Sequence, residues 1–159
     1  MAADLDFRIE PGGMADLADV MVAMGDAFDP QFGEAWTEAQ CAGVLGMPGS
    51  WLLIARSEDE PAGFALLRKM ADEAELLLIA VRERFRRQGI GRALLDRAIE
   101  DAIADGIETL HLEVRDGNPA LMLYLQSGFV QVGSRKGYYR GRTGKQFDAL
   151  TFKRHLGVN

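Results

Sequence analysis

The feature that most constrains the fold is the passage from an apolar segment, through a turn rich in arginine and glycine, into a long amphipathic segment. Residues 75–84 read E-L-L-L-I-A-V-R-E-R, and residues 86–95 read R-R-Q-G-I-G-R-A-L-L. The short apolar run predicts a buried strand over 75–81. Apolar residues then recur at helical spacing and predict a helix over 90–105, which Gly106 ends. A glycine-rich turn between a strand and a helix is a candidate phosphate cradle.

The rest of the chain alternates between patterns of strand and helix period. Residues 14–28 carry apolar residues at helical spacing, and Thr37-Glu38-Ala39-Gln40 has the capping-box form that starts a second helix. The same patterns predict a helix at 119–126 and strands at 5–9, 51–56, 63–70, 107–115, 129–136 and 147–155. The order β-α-α-β-β-β-α-β-α-β-β predicts an α/β (α+β) fold with a mixed sheet flanked by helices. We expect one domain over residues 1–159.

Composition narrows the classes of function. A formal net charge of -6 argues against general nucleic-acid binding, which normally needs a basic surface. The apolar stretches are far shorter than the ~20 residues of a membrane-spanning helix, and the N-terminus lacks a basic and then apolar signal pattern. We therefore expect a cytoplasmic protein that binds neither nucleic acid nor membrane. Cys41 is the only cysteine and lies far from His111 and His155, so we expect neither a disulfide nor a metal site.

The turn between the strand and the long helix reverses the charge of this acidic chain. Within eleven residues the sequence places Arg82, Arg84, Arg86, Arg87 and Arg92. This local excess of positive charge indicates a small anionic ligand, with a solvated arginine face as the alternative. A dinucleotide-binding G-x-G-x-x-G motif is disfavoured, because Leu94 takes the place of its third glycine. A Walker loop at Gly144-Lys145 is also disfavoured, because Tyr139 occupies its first glycine position. What remains is R-x-x-G-x-G at residues 86–91.

This motif, after a strand and at the start of a long helix, resembles the pyrophosphate-binding motif of the GNAT superfamily of N-acetyltransferases. The chain resembles, more specifically, the ribosomal-protein-alanine N-acetyltransferases. The matching segments are W-T-E (36–38), I-A-V (79–81), R-Q-G-I-G-R-A-L-L (87–95), L-E-V-R-D-G-N (112–118), L-Y-L-Q-S-G-F (123–129), R-K-G-Y-Y (135–139) and D-A-L (148–150). The resemblance implies a mostly antiparallel sheet, and an enzyme that transfers the acetyl group of acetyl-CoA to a primary amine without a metal.

The resemblance also implies which residues bind acetyl-CoA. They are Ile79, Ala80, Val81, Arg86, Arg87, Gln88, Gly89, Ile90, Gly91, Arg92 and Asn118. Unpaired amides and the dipole at a helix N-terminus bind anions such as a pyrophosphate, and glycines let the backbone approach it. In the family, the pantetheine arm lies beside residues 79–81, where two inner strands splay apart. Asn118 precedes Pro119, so a helix cap is the alternative role for this asparagine.

Acetyl transfer to an amine needs a base for the amine and an acid for the departing thiolate. The resemblance implies Glu113 as the base and Tyr124 as the acid. His111, two residues before Glu113 on the same face of the strand, is the alternative base. Tyr124 stands one residue closer to Asn118 than in the family, and one residue turns a helix by about 100°. Either the helix begins later than predicted, or Tyr124 is displaced and packs against Phe129.

Segments outside the cofactor motif indicate where the acceptor binds. Tyr138 and Tyr139 resemble paired tyrosines on the loop that covers the acceptor peptide in the family, and hairpin packing is their alternative role. Trp36 belongs to the same predicted groove. These matches favour a peptide N-terminal acetyltransferase, with a protein N-terminus as its partner. The alternatives are an acetyltransferase for a small amine or a lysine side chain, and a non-catalytic acetyl-CoA-binding module.

Overall fold

The computed structural model describes residues 6–157, in which seven strands form one sheet. The strands are β1 (Arg8–Gly12), β2 (Ser50–Ser57), β3 (Glu60–Met70), β4 (Glu73–Val81), β5 (Thr109–Arg115), β6 (Val130–Arg140) and β7 (Gln146–His155). Their order across the sheet is β1-β2-β3-β4-β5-β7-β6, and all neighbours are antiparallel except β4 and β5. The predicted mixed and mostly antiparallel sheet is therefore confirmed.

Four α-helices flank this sheet within the described residues. They are α1 (Leu17–Ala27), α2 (Glu38–Leu45), α3 (Ile90–Ala104) and α4 (Leu121–Gln126), and short 3-10 turns occur at Met14–Asp16, Pro30–Phe32 and Glu83–Phe85. Strands and α-helices follow one another in the predicted order. No helix between residues 6 and 157 has the length and apolar character needed to cross a membrane.

The two faces of the sheet are covered by different helices. On β2, Leu52 and Ile54 belong to one buried cluster with residues of α1 and α2, whereas Leu53 and Ala55 belong to another with residues of α3 and α4. Successive side chains of a strand point to opposite faces, so a strand covered on both faces is apolar at every position. This double covering explains why β2 shows a continuous apolar run instead of an alternating pattern.

Local signals in the sequence set the ends of two helices. At the start of α2, the Gln40 amide donates to Thr37 Oγ1 over 3.2 Å, and the Thr37 amide donates to Gln40 Oε1 over 2.8 Å. This is the predicted capping box. At the end of α3, Gly106 has a φ of 77°, and the Ile107 amide donates to the Ala102 carbonyl over 3.0 Å. Glycine adopts this left-handed conformation without the usual steric cost, so it ends the helix.

The capping box gives a first prediction about stability. Thr37→Ala should lower the free energy of unfolding by about 1 kcal/mol, because the first turn of α2 loses its side-chain acceptor. Urea denaturation measures the change. Thr143→Ala, at an exposed position in the β6–β7 turn, serves as the control and should change stability by less than about 0.5 kcal/mol. An equal effect of both substitutions would contradict the capping role.

Several predicted boundaries are wrong, and each has a physical reason. Strand β1 occupies Arg8–Gly12 instead of 5–9, of which residue 5 lies outside the described part of the chain. The strand continues through Pro11 because β1 is at the edge of the sheet, where proline is tolerated. Strand β5 begins at Thr109 instead of residue 107, since the Ile107 amide is used by the end of α3.

Two further corrections concern site residues. Helix α4 begins at Leu121 and not at Pro119, because the Leu121 amide donates to the Asn118 carbonyl over 3.0 Å and the residues before the helix form a tighter turn. Strand β6 extends to Arg140, so the two tyrosines at 138 and 139 lie in the strand and not on a loop. They follow Gly137, whose φ of 63° accompanies a shift in the β6–β7 register.

Candidate active site

The site begins where strands β4 and β5 separate. The parallel ladder joins Glu73 to Thr109 and ends where Leu76 faces Leu112. Beyond this point, residues 78–81 of β4 pair with β3 and not with β5, and Leu77 lies at a shift in the β3–β4 register. The divergence that the family resemblance implied is therefore present, and it leaves a β4 edge over which an extended ligand can lie.

A cleft of about 510 Å³ opens at this divergence. Its lining includes ten of the predicted cofactor residues: Ile79, Ala80, Val81, Arg86, Arg87, Gly89, Ile90, Gly91, Arg92 and Asn118. Gln88, the remaining predicted cofactor residue, is not among the residues that line the cleft. The strand, the turn and the start of α3 thus form one continuous wall.

The N-terminus of α3 presents free backbone amides to the cleft. Gly89 is the N-cap with a φ of 81°, no side chain caps the helix, and no acidic residue lies in its first turn. A Cβ placed on Gly89 would have no heavy atom of the described residues within 4 Å, so the space before the amides is open. An open helix N-terminus with its dipole suits the diphosphate of acetyl-CoA.

The arginines around the turn have different roles. Arg86 donates to the Val81 carbonyl over 3.1 Å and to the Ala27 carbonyl over 2.6 Å, so it ties the turn to β4 and α1. Arg92 forms an exposed ion pair with Asp96 at 3.3 Å, which is worth little in water. Arg87 is exposed and has a φ of 64°, which is unusual for a residue other than glycine. Arg87 and Arg92 are therefore the side chains available to an anion, whereas Arg86 supports the backbone.

A second cavity, of about 160 Å³, adjoins the cleft. Its lining includes Glu113 and all three predicted acceptor-groove residues: Trp36, Tyr138 and Tyr139. Phe28, Ile79 and three polar residues line both the cleft and this cavity, and the polar ones are Glu34, Asn118 and Tyr124. These three residues therefore mark the junction of the two spaces, which we call the junction below.

Glu113 and His111 differ in their surroundings. The Glu113 side chain is 17% exposed, and Arg135 Nε lies 3.1 Å from its Oε2. The contact lacks hydrogen-bond geometry, so this buried oxygen has no hydrogen-bond partner within the described residues. His111 Nε2 instead lies 2.6 Å from Glu73 Oε1, and His111 lines neither cavity. Glu113 is therefore the better placed of the two to accept a proton from a ligand.

Two features of Tyr124 correspond to the alternatives that the sequence left open. Its helix begins later than predicted, and its ring packs edge-to-face on Phe129 with 5.9 Å between the ring centroids. The residue nevertheless lines both spaces while only 5% exposed. Burial raises the pKa of the Tyr124 phenol well above its usual value, and the neighbouring Tyr139 and Glu34 add to the shift. The phenol therefore keeps its proton at neutral pH.

The remaining acceptor-groove residues form an aromatic and acidic lining. Tyr138 and Tyr139 pack edge-to-face with 5.0 Å between their centroids, so they also have the packing role that was the alternative. Burial raises the pKa of Tyr139, and the charges of Glu34 and Glu113 raise it further. Glu75 also lines the cavity, and partial loss of hydration and the charge of Glu113 raise its pKa.

Sequence reasoning missed Glu34, Glu75 and Arg115, all of which line these spaces. Glu75 pairs with His111 in the β4–β5 ladder and feels the charge of Glu113, and both relations depend on the pairing of the two strands. Glu34 contacts Asn118 across 84 positions of sequence, for which the sequence gives no local signal. Among residues 6–157, no cluster of three or more His, Cys, Asp or Glu residues is placed to hold a metal ion.

The sequence profile of the acetyltransferase (GNAT) family matches residues 17–129. This match covers strands β2 to β5 and all residues that line the larger cleft, but not Tyr138 and Tyr139 of the second cavity. The chain belongs to the GNAT family. As a GNAT protein it carries the family's motif at the start of α3, where the open amides of Gly89 and its neighbours lie.

Individual GNAT proteins are similar to this chain in sequence and in fold. The [Ribosomal protein bS18]-alanine N-acetyltransferase of Escherichia coli K12 is 42% identical over 90 residues, which are 56% of this chain and 60% of that protein. The N-alpha-acetyltransferase RimI of Mycobacterium tuberculosis is 34% identical over 129 residues, 78% of each chain. The crystal structure of the Escherichia coli ribosomal-protein-S18-alanine N-acetyltransferase superposes with a TM-score of 0.86 at 30% identity, covering 96% of both chains. Fold and sequence thus agree on the family.

Proposed function

We propose that the protein is an N-acetyltransferase that uses acetyl-CoA and acetylates the N-terminal α-amine of a protein or peptide. The observation that carries the proposal is the meeting of two spaces at Tyr124: an open cleft that ends at the N-terminus of α3, and an acidic cavity that contains Glu113. A cytoplasmic location, as expected from the sequence, is part of this proposal.

Acetyl-CoA would bind in the larger cleft and supply the acetyl group as a thioester. Its phosphates suit the amides before α3 and the side chains of Arg87 and Arg92, which can add charge-assisted hydrogen bonds. The free edge of β4 at residues 79–81 suits an extended arm bound through main-chain hydrogen bonds. Arg86 holds this edge and the turn together from outside the ligand.

The smaller cavity would hold the acceptor amine. Its three carboxylates, Glu34, Glu75 and Glu113, favour a positively charged ligand entering from solvent. Glu113 has an oxygen without a hydrogen-bond partner and is proposed to take the proton that the amine must lose. Tyr124 keeps its proton at neutral pH and is proposed to give it to the departing sulfur. In this proposal Glu113 accepts a proton and Tyr124 donates one.

The nature of the amine follows from its pKa. An α-amine has a reference pKa near ~7.8, so deprotonation at pH 7 costs about 1 kcal/mol, whereas a lysine near ~10.4 costs about 4 to 5 kcal/mol. A single carboxylate base is therefore better matched to an α-amine. The names of the Escherichia coli and Mycobacterium tuberculosis relatives, which specify alanine and N-alpha acetylation, support the same choice.

This proposal predicts the acceptor preference of the enzyme. Short peptides with a free N-terminal Ala, or another small residue, should be acetylated on the α-amine with at least about tenfold higher kcat/KM than lysine side chains or polyamines. The assay compares these acceptors at equal concentration and locates the acetyl group by fragmentation mass spectrometry. The matched control is the same peptide with a blocked N-terminus and one internal lysine.

A tenfold preference for the internal lysine or for a polyamine would reject the peptide α-amine as the acceptor. The small volume of the acceptor cavity also accommodates the tip of a lysine, which makes this comparison informative. If the protein binds acetyl-CoA but releases no free thiol with any acceptor tested, the result would instead support a non-catalytic binding module.

A further inference from the structure

The connection between α1 and α2, residues 28–37, lies against the β6–β7 hairpin. The Arg142 amide donates to the Pro30 carbonyl over 3.2 Å. A Cβ on Gly33 would lie 2.0 Å from the Arg140 carbonyl oxygen, and a Cβ on Gly141 would lie 1.8 Å from that of Gln31. Only glycine permits these two backbones to approach so closely. The connection is therefore fixed against the β6–β7 hairpin by backbone contacts.

From this connection, Glu34 reaches into the junction. Its side chain is 10% exposed, and its Oε1 lies 3.2 Å from Nε of Arg115, whose side chain is 7% exposed. Its Oε2 accepts a hydrogen bond of 2.6 Å from Asn118 Nδ2. The Arg115 guanidinium lies 3.6 Å from the ring centroid of Phe32, which belongs to the same connection. A buried charge pair of this kind persists only with close partners, so Glu34, Arg115 and Asn118 form one unit.

The same asparagine starts the helix that carries Tyr124. Asn118 Oδ1 accepts a hydrogen bond of 2.8 Å from the Ala120 amide, so both ends of the Asn118 amide group have protein partners. Helix α4 has only six residues, and a helix this short has little stability of its own. Its start therefore depends on what holds Asn118.

We propose that Glu34 is the positioning residue for helix α4: through Asn118 and Arg115 it fixes where the helix begins and so places Tyr124 at the junction. The proposal rests on the proposed function for its catalytic consequence. Asn118 joins the two segments directly, because its Nδ2 donates to Glu34 and its Oδ1 accepts from the Ala120 amide just before α4. Asn118 thereby serves as a cap and an anchor.

The electrostatics of the junction are consistent with this arrangement. The pKa values of Tyr124 and Tyr139 are raised by burial, and the charge of Glu34 contributes to both. Glu34 is thus close enough to both phenols to affect their protonation. The same charge is balanced by Arg115, so that the junction holds a buried ion pair and not a single carboxylate.

Hydrogen exchange tests the positioning role without any turnover. In Glu34→Ala, the amides of residues 120–126 should exchange at least about tenfold faster than in the wild type, because Asn118 loses its anchor, while amides of β2 and β3 stay protected. Glu100→Gln, which removes an exposed carboxylate on α3, is the control and should leave α4 protection unchanged. Equal α4 protection in Glu34→Ala and the wild type would overturn the proposal, even if the enzyme acetylates no acceptor tested.

Kinetics with an Ala-starting peptide test the catalytic consequence. Glu34→Ala should lower kcat about 10²-fold, because a small displacement of a catalytic group has an effect of this size. Glu34→Gln keeps an oxygen that can accept from Asn118, so its loss in kcat should be smaller. The double variant Glu34→Ala/Asn118→Ala should lose no more activity than the more impaired single variant, since the two residues act as one unit.

If Glu34→Ala does not fold, two other variants still test the proposal. Glu34→Gln is nearly isosteric, and its α4 exchange and kcat can then be compared with those of Asn118→Ala. An unchanged kcat in Glu34→Gln and Asn118→Ala, both folded by circular dichroism, would overturn the proposal. Fully additive losses in the double variant would overturn it as well. A wild type that shows Glu34-dependent protection of α4 but no acetylation would refute the proposed function and leave the positioning role supported.

Discussion

Gly89→Glu is expected to weaken acetyl-CoA binding by more than about a hundredfold, to below detection in a calorimetric titration. The substituted side chain would occupy the open space before the first-turn amides of α3, and its carboxylate would compete for them with the phosphates. Each charge-assisted hydrogen bond lost costs about 1.5 to 3 kcal/mol, so losing two of them accounts for the expected change. This result would establish the α3 N-terminus as the cofactor site.

The chain provides a closely matched control for this experiment. Gly106, at the other end of the same helix, has a φ of 77° against 81° for Gly89, and a Cβ on either would have no described atom within 4 Å. Gly106→Glu therefore introduces the same charge and the same backbone strain but leaves the cleft unchanged. It should bind acetyl-CoA as the wild type does.

A second variant separates the effect of backbone strain from the effect of the added side chain. Gly91 has no positive φ, and a Cβ there would contact Leu123 and Val81 at ordinary distances of 3.6 and 3.7 Å. Gly91→Glu should therefore abolish binding without strain in the turn. Retained affinity in both Gly89→Glu and Gly91→Glu would place the cofactor elsewhere and remove the basis of the proposed function.

The order of the elements could be predicted because local patterns carry it. Helix α3 has an apolar stripe, follows the N-cap Gly89 and precedes Gly106, and each of these signals acts within a few residues. The Thr37–Gln40 capping box acts within one turn in the same way. Such signals need no knowledge of distant contacts, and the predicted starts of α2 and α3 were confirmed.

The predictions that were wrong or incomplete depend on distant contacts. The start of α4 is set by the Asn118 anchor, and that anchor depends on Glu34 from a segment 84 positions away. The different roles of Arg86 and Arg87 were equally hidden, because Arg86 is used by a carbonyl of α1 that is 59 positions away. The sequence showed which residue types gather at the turn, whereas their partners depend on the fold.

The proposed chemistry depends on two side chains with opposite roles in proton transfer. Tyr124 is buried against Phe129, where water does not stabilise a phenolate. Glu113 lies in the acceptor cavity, with Arg135 Nε 3.1 Å from its Oε2. Tyr124→Phe keeps the ring that packs on Phe129, so a loss of kcat without a loss of stability would identify the hydroxyl as the acid.

Glu113→Gln is expected to lower kcat by roughly 10²- to 10⁴-fold, the usual contribution of a general base, with little change in the affinity for acetyl-CoA. Glutamine has nearly the same shape but cannot take the proton of the amine, and Glu113 does not line the larger cleft. Steady-state kinetics with an Ala-starting peptide, together with calorimetry for acetyl-CoA, measure the two quantities separately.

The choice between Glu113 and His111 as the base depends on two comparisons. Glu108→Gln removes an exposed carboxylate just before β5 and should retain the wild-type rate, which controls for the loss of one charge. His111→Ala should have a small effect, because the imidazole is engaged by Glu73 at 2.6 Å and lines neither cavity. A wild-type rate in Glu113→Gln with a large loss in His111→Ala would transfer the role to His111. Since both side chains lie on the same face of β5, that result would also require the acceptor to bind nearer the paired end of β4 and β5, outside the cavity that contains Tyr138 and Tyr139.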